Sequence, residues 1–381
     1  MVFGFCLFKY FPFGGLQRDF LRIALECQKR GHRIRVYVST WESEQPDGFD
    51  IIYVPQKGIN SPARNRAYVS FVQKHLKSHP LDYLVGFNKI PGLDCYYAAD
   101  GCFLAKAKQQ RGVIYRLSSR FRHFVNNESA IFKKGQQTEI LMISKLQIPI
   151  YQKFYQTESE RFHLLPPGVS RDRIAPDNAA QERQSFRCEF GIEQDEWLWL
   201  MVGSGFKTKG VDRSLRALHS LPAQLRKKTK IFIVGQDNPN PFKRLAAKLN
   251  ITENICFFPG RDDIPKFLLG ADILVHPAYH ENTGTILLEA LVAGLPVITT
   301  DICGYAHYIN QAKAGTLLSH PFSQSEMNQE VLRMMNRTRQ NELHQNALNY
   351  ARDADLYSMP QAAADIIETL CQNKNLTSVS V

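Results

Sequence analysis

The chain lacks what several large protein classes require. Its eight cysteines (Cys6, Cys27, Cys95, Cys102, Cys188, Cys256, Cys303 and Cys371) stand singly, with no CxxC pair among them. That pattern offers neither a zinc site nor a disulfide framework, and a reducing compartment is expected. No apolar run approaches the roughly 20 residues of a membrane-spanning helix. The apolar N-terminus "MVFGFCLFKYFPFGG" carries no basic stretch before it, so it reads as a buried first strand rather than a secretion signal. Repeats and low-complexity tracts are missing, and only the tail "NKNLTSVSV" reads as loose. Acidic residues are also in deficit: 47 Lys and Arg face 36 Asp and Glu, a net charge of +11. A surplus of that size favours an anionic partner, whether nucleic acid, an acidic membrane surface or a phosphorylated substrate. Together these features describe a soluble cytoplasmic protein.

What is present is ordinary globular composition, 44% hydrophobic and 22% charged, in a chain of 381 residues. That length exceeds the usual size of one hydrophobic core, so two domains are expected. Short apolar runs alternate with amphipathic segments. "VFGFCLF" (2–8), "IRVYV" (34–38), "YLVGF" (83–87), "EILMIS" (139–144) and "FHLLP" (162–166) read as strands, and "LQRDFLRIALECQKRG" reads as a helix closed by Gly31. After "LPPGVSRDR" the alternation restarts with "WLWLMVG" (197–203), "IFIVG" (231–235), "ICFFPG" (255–260), "DILVHP" (272–277) and "PVITT" (296–300). Runs this continuously apolar suit parallel strands buried on both faces. The expected fold is therefore α/β with two doubly wound, Rossmann-like domains, hinged near Pro166–Val169. The boundaries this predicts are 1–167, 168–355, a C-terminal helix over 356–372 and a loose tail over 373–381.

Three stretches carry chemistry. "FPFGGLQRDF" (11–20) places Gly14 and Gly15 between the first strand and a helix, where backbone can approach a ligand closely. "VGSGFKTKGVDRSLRAL" (202–218) places glycines, Lys207 and Lys209 between a strand and a helix, a pattern suited to phosphate but also to a plain turn with solvated lysines. "HENTGTILLEALVAGLPVITT" (280–300) is the sharpest. A helix beginning there aims the N–H groups of about Thr283 to Thr285 outward as an anion site. Glu281 precedes it and Glu289 lies more than a turn inside it. Carboxylates so placed would crowd a bare phosphate, yet they suit hydroxyl groups on either side of a diphosphate.

The Glu281–Glu289 spacing resembles the E-x7-E motif of retaining, nucleotide-sugar-dependent glycosyltransferases of the two-Rossmann (GT-B) type, family 4. "FGFCLFKYFPFGGLQRDFLRIA", "VGFNKIPGLDCYYAAD", "YRLSSRFRH", "VGQDNP" and "ADILVHPAYHE…LLEA…AGLPV…CGYAHYI" extend the resemblance along nearly the whole chain, to the branch that adds glucose to the lipopolysaccharide core. The resemblance implies two domains facing across a cleft, with the C-terminal helix crossing back to the first. It implies glucose transfer from UDP-glucose to a heptose of the inner core, with retention, without a metal and with no resident cofactor. By the same resemblance Glu289 holds the UDP ribose, while Glu281 and the N–H groups of Asn282, Thr283, Gly284 and Thr285 hold the donor sugar and diphosphate. Lys209 matches the family's phosphate-binding lysine. The arginine usual after the strand's first glycine is replaced by Ser204, which leaves Arg173, Arg261 and Lys207 as candidates for the second cation. Gly14 and Gly15 would cover the diphosphate, Asp100 would touch the donor sugar, and Asp19 could meet the acceptor.

No metal ligand set is expected. The only D-x-D, Asp353-Ala354-Asp355, has no preceding strand, and the His75/His79 pair has no carboxylate partner. The basic surplus concentrates from Gly101 to Asn127, where Lys106, Lys108, Arg111, Arg116, Arg120 and Arg122 occur without an acid. Phe103, Leu104, Ile114, Tyr115, Leu117, Phe121 and Phe124 are interleaved. Such a segment, roughly 103–124, suits the plane of an anionic bilayer, here the cytoplasmic face of a Gram-negative inner membrane where a lipid-linked acceptor lies. A basic RNA-binding patch or a helix covering the core is the alternative. Nucleic acid is disfavoured overall, because no recognisable binding module appears and the two glutamates would repel a phosphate backbone. Another UDP-sugar transferase or a nucleotide-sugar epimerase of the same fold stays open, and only the latter converts its substrate with no acceptor present.

Overall fold

A computed structural model describes residues 1–12 and 14–379. They form two units, Met1–Gly168 with Tyr357–Val381, and Val169–Leu356. The first unit contains β1 (Val2–Cys6), β2 (Lys9–Tyr10), β3 (Arg33–Val38), β4 (Thr40–Trp41), β5 (Phe49–Tyr53), β6 (Tyr83–Gly86), β7 (Cys95–Ala98), β8 (Glu139–Met142) and β9 (Phe162–Leu164). Seven of these make one parallel sheet in the order β5-β3-β1-β6-β7-β8-β9, and β2 pairs with β4 as a short ribbon.

Alternation along these strands explains why both faces are covered. Phe3 and Phe5, Val36 and Val38, and Leu141 enter one buried cluster, while Cys6, Tyr37, Ile140 and Met142 enter another on the opposite face. The helix Gly15–Lys29 closes the first face with Phe20, Ile23, Ala24 and Cys27, spaced as one helical stripe. The C-terminal helix Met359–Val379 adds Ala363, Ala364, Ile367 and Cys371 to the same cluster. Arg30 fixes its register by pairing with Asp365 at 2.6 Å and Glu368 at 3.0 Å.

That helix departs from expectation at both ends. It begins at Met359 rather than 356 and continues through 373–379, where a loose tail is expected; residues 380–381 lie outside the described ones. The physical reason is continuity. After Pro360 in the first turn no glycine or proline interrupts the helix to Val379, and Lys374 ties its last third to Asp94 at 2.7 Å.

The second unit contains β10 (Trp197–Val202), β11 (Thr229–Val234), β12 (Ile255–Phe258), β13 (Ile273–His276), β14 (Val297–Thr300) and β15 (Gly315–Leu318). Its sheet is parallel throughout, in the order β12-β11-β10-β13-β14-β15. One face buries Trp197, Trp199, Met201, Ile231, Ile233 and Val275. On the other, Phe232 meets Phe258 and Phe267 at ring-centroid distances of 4.9 and 6.3 Å. In both sheets the strand order reverses beside the first strand, between β1 and β6 and between β10 and β13. Ligands of open α/β sheets bind beyond the carboxyl ends of the strands at that reversal.

The chain leaves the first unit at Gly168 and returns at Tyr357. Each unit secures its own side of the crossing. Met359 N–H donates to Pro167 O at 3.1 Å in the first, and Val169 N–H donates to Leu356 O at 2.8 Å in the second.

Candidate functional site

In the second unit, the loops leaving β10 and β13 meet. The first runs through Gly203, Gly205 and Gly210 before the helix Val211–Ser220. Gly210 has φ +77, and a Cβ there would lie 2.1 Å from Pro277 O, so only glycine lets the two loops touch. Thr208 O accepts from Tyr279 N–H at 2.8 Å, and Arg213 donates to Pro277 O at 3.0 Å while lying 3.5 Å from the Tyr279 ring centroid. This clamp brings Lys209 onto Glu281. The two form an ion pair, and the same Oε2 of Glu281 lies 3.1 Å from Nε2 of His276, the last residue of β13.

The electrostatics follow from burial. His276 is 1% exposed and Glu281 is largely buried. Burial alone would raise the Glu281 pKa, yet the His276 hydrogen bond and the Lys209 charge hold it down to about 2. Burial alone would lower the His276 pKa, and contacts to Cys303 and Glu281 instead raise it to about 9. His276 Nδ1 makes no hydrogen bond among the described residues, so the Nε2 contact to Glu281 is the one the ring makes by hydrogen-bond geometry. A carboxylate held this firmly in its charged form is no general acid at neutral pH; it can accept hydroxyl hydrogen bonds and balance positive charge.

The next helix, Thr285–Val292, starts from Gly284 at φ +81, and Tyr305 N–H donates to Thr283 O at 2.8 Å to fix the approach. Glu289 is buried within it, and Arg173 Nε lies 3.9 Å from Glu289 Oε1. Arg173 is buried too, and among the described residues neither its Nε nor its Nη1 makes a hydrogen bond. Its Nε also lies 3.6 Å from Asp172 Oδ2, so the guanidinium sits in ion-pair range of two carboxylates while its Nη1 is left without a hydrogen bond among the described residues. The other two cation candidates stand differently. Arg261 is engaged by Asp263 through two contacts of 2.6 Å, and Lys207 is exposed with no ion pair among the described residues. Ser204, in the arginine's usual place, accepts from Gln236 N–H at 3.0 Å.

In the first unit, Gly14 caps the helix Gly15–Lys29, and Asp19 on that helix accepts from the Tyr97 hydroxyl at 2.7 Å. Asp100 follows β7 with its side chain exposed, and Tyr151 donates to its carbonyl at 3.0 Å. The basic segment folds as three helices, Phe103–Gln110, Val113–Arg116 and Ser119–Phe132. Its aromatics are not the exposed ones: Phe103 packs against Phe121 and Phe124 at 6.0 and 5.5 Å. The outward apolar residues are Val113, Ile114 and Leu117, at 65%, 88% and 73% exposure.

Two groups escape a reading of the sequence. His276 hides at the end of an apolar strand; its one signal is an ionisable residue where every neighbour is hydrophobic. Glu128 accepts from the N–H groups of Phe103 and Leu104 at 2.7 and 2.9 Å and from Tyr155 at 2.7 Å, with Lys89 at 2.5 Å. Nothing local in "FVNNESAIF" marks it as buried.

Comparison with known proteins fits this geometry. Residues 182–354 match the family of glycosyl transferases group 1. The lipopolysaccharide glucosyltransferase WaaG of Escherichia coli K12 is 50% identical over 371 residues, covering 96% of this chain and 98% of that protein. A crystal structure of WaaG, a glycosyltransferase involved in lipopolysaccharide biosynthesis, superimposes with a TM-score of 0.92 at 49% identity, over 96% of this chain and 99% of that one. HepE of Anabaena, solved with UDP and glucose, has a TM-score of 0.75 at 15% identity over 96% of this chain and 99% of its own, a likeness of fold. On its identity to WaaG over almost the full length of both chains, this protein belongs to the group 1 glycosyltransferases, enzymes of the GT-B fold.

Proposed function

We propose that this enzyme transfers glucose from UDP-glucose to a heptose of the lipopolysaccharide inner core, with retention and without a metal. The observation that carries the reading is the 50% identity to the E. coli lipopolysaccharide glucosyltransferase along nearly all of both chains. The site is consistent with it. Glu289 binds the UDP ribose, and Glu281 with the backbone of Asn282 to Thr285 binds the donor sugar and diphosphate. Lys209 and Arg173 supply the positive charge that stabilises the departing diphosphate. Of the three second-cation candidates, Arg173 is favoured by its burial and its unsatisfied Nε and Nη1. The family resemblance assigns Gly14 and Gly15 to the diphosphate, Asp100 to the donor sugar and Asp19 to the acceptor.

Retention proceeds without a covalent sugar–enzyme bond. Glu281 Oε2 is shared by a lysine and a histidine, which blunts it as a nucleophile. The leaving phosphate oxygen takes the proton of the acceptor hydroxyl on the same face as the new bond forms.

The enzyme works as a peripheral protein on the cytoplasmic face of the inner membrane. Among the described residues no helix is long and apolar enough to cross a membrane. Val113, Ile114 and Leu117 are exposed in the same short stretch as the exposed Arg111 and Arg120, apolar and basic groups of the kind an anionic bilayer surface takes up.

Mass spectrometry of a heptose-terminated core acceptor with UDP-glucose, with and without EDTA, tests the function. A one-hexose gain that survives EDTA is expected. A gain only with another UDP-sugar would replace the donor, and UDP-glucose turnover without acceptor would point to the epimerase.

A further inference from the structure

Glu281 is held by two basic side chains of different character. Lys209 reaches it on a flexible stem with its side chain 22% exposed, whereas His276 is fixed at the end of a buried strand. The backbone around His276 is itself braced, since Thr299 Oγ1 donates to the His276 carbonyl at 3.0 Å. Both side chains converge on Oε2, and Oε1 has no hydrogen bond among the described residues.

We propose that His276 is a positioning residue for the transfer: it keeps Glu281 charged and oriented when Lys209 turns from that carboxylate to the donor diphosphate. The inference rests on the donor-binding roles given above to Glu281 and Lys209. One lysine cannot neutralise a carboxylate and a diphosphate equally at the same moment. A buried carboxylate that lost its only counter-charge would take up a proton or swing away, and its free oxygen would stop accepting a sugar hydroxyl. With His276 protonated behind it, Glu281 stays an anion whichever way Lys209 points. The groups facing His276 are few: Glu281 from the following loop, Lys209 from the loop after β10, and the Cys303 thiol with Thr299 and Thr300 beside it from β14 and the turn beyond. Among these groups Glu281 is the one carboxylate, so the charged ring has a single anionic partner.

The test separates donor sugar from nucleotide. His276→Leu and His276→Gln are assayed beside wild type for KM and kcat with UDP-glucose, and for the Kd of UDP alone. His276→Leu is expected to lower kcat/KM for the donor by about tenfold to a hundredfold, the size of a lost charge-assisted hydrogen bond. UDP affinity is expected to change less than about threefold, because Glu289 keeps the ribose, Lys209 and the backbone of Asn282 to Thr285 keep the diphosphate, and only the sugar depends on the free oxygen of Glu281. His276→Gln, which keeps an N–H donor without the charge, recovers part of the loss. Wild-type kcat/KM falls as pH rises through about 9, where His276 loses its proton, and this alkaline limb is missing in His276→Gln.

Unchanged donor kcat/KM in His276→Leu, an equal loss of UDP affinity, or an alkaline limb retained in His276→Gln would each overturn the proposal. Should His276→Leu not fold, His276→Gln and its pH profile decide alone. Wild-type turnover tests the underlying reading separately, and the variants are compared on whichever UDP-hexose the wild type uses.

Discussion

Lys89 Nζ lies 2.5 Å from Glu128 Oε1, a carboxylate wholly shielded from solvent on the inner face of the basic helix Ser119–Phe132. Burial alone would raise the Glu128 pKa; the Lys89 charge and hydrogen bond, with the N–H groups of Phe103 and Leu104, lower it instead. One acid thus satisfies the first N–H groups of the helix Phe103–Gln110 and anchors the segment that carries the six basic residues. Removing it leaves a buried ammonium uncompensated.

Glu128→Ala is therefore expected to destabilise the protein by about 3–5 kcal/mol, measured by urea unfolding. The pH dependence has a definite sign. Because the folded pKa of Glu128 is depressed below 4.5, its contribution is complete above that pH and is lost as the pH falls beneath it. Glu128→Gln should flatten the acid limb of stability, and an unchanged limb would remove Glu128 from this role.

Arg173 is buried beside Glu289 with two nitrogens unsatisfied. If it faces the diphosphate, Arg173→Ala lowers kcat by roughly a hundredfold, the scale of losing one preorganised donor. Arg261→Ala, which frees Asp263 instead, is expected to lower it far less. Steady-state kinetics on both variants decide between them.

Glu289→Ala should weaken UDP binding by about tenfold or more in calorimetry, since a carboxylate accepting ribose hydroxyls makes hydrogen bonds of the charged kind. Equal UDP affinity in variant and wild type would move the ribose elsewhere.

Gly210→Ala combines a positive φ with a Cβ 2.1 Å from Pro277 O. A loss of more than about 1 kcal/mol in stability is expected. Displacement of Lys209 should lower donor kcat/KM as well. A fully active Gly210→Ala enzyme would show that the contact between the two loops does not position Lys209.

Exposed apolar residues inserted into a bilayer each contribute on the order of 1 kcal/mol. Replacing Val113, Ile114 and Leu117 together with serine should therefore reduce cosedimentation with anionic vesicles at least about tenfold. Salt should weaken wild-type binding through Arg111 and Arg120. Binding that survives both changes would place the membrane surface elsewhere on the chain.

Much of this protein is legible along the chain. Strands such as "WLWLMV" are read easily because a parallel strand buried on both faces must be apolar at every position. The glutamates eight residues apart are legible because a loop and the first turns of one helix hold both, so local sequence decides their separation. β7 and β15 are harder. Their four residues each take strand form from neighbours already in the sheet, and no strong pattern of their own announces it.

What only tertiary structure decided are the meetings across long separations. Lys209 reaches Glu281 because Gly210 lets two loops touch, and His276 joins them because β13 ends beside that contact. The burial of Arg173 beside Glu289, while Lys207 stays exposed and Arg261 pairs with Asp263, is of the same kind. So is the inward turn of Phe103, Phe121 and Phe124, which leaves Val113, Ile114 and Leu117 outside. Hydrophobic periodicity is a local property and survives in the order of residues. The pKa of a carboxylate and the exposure of an aromatic ring depend on which distant groups arrive beside it, and only the folded chain determines that.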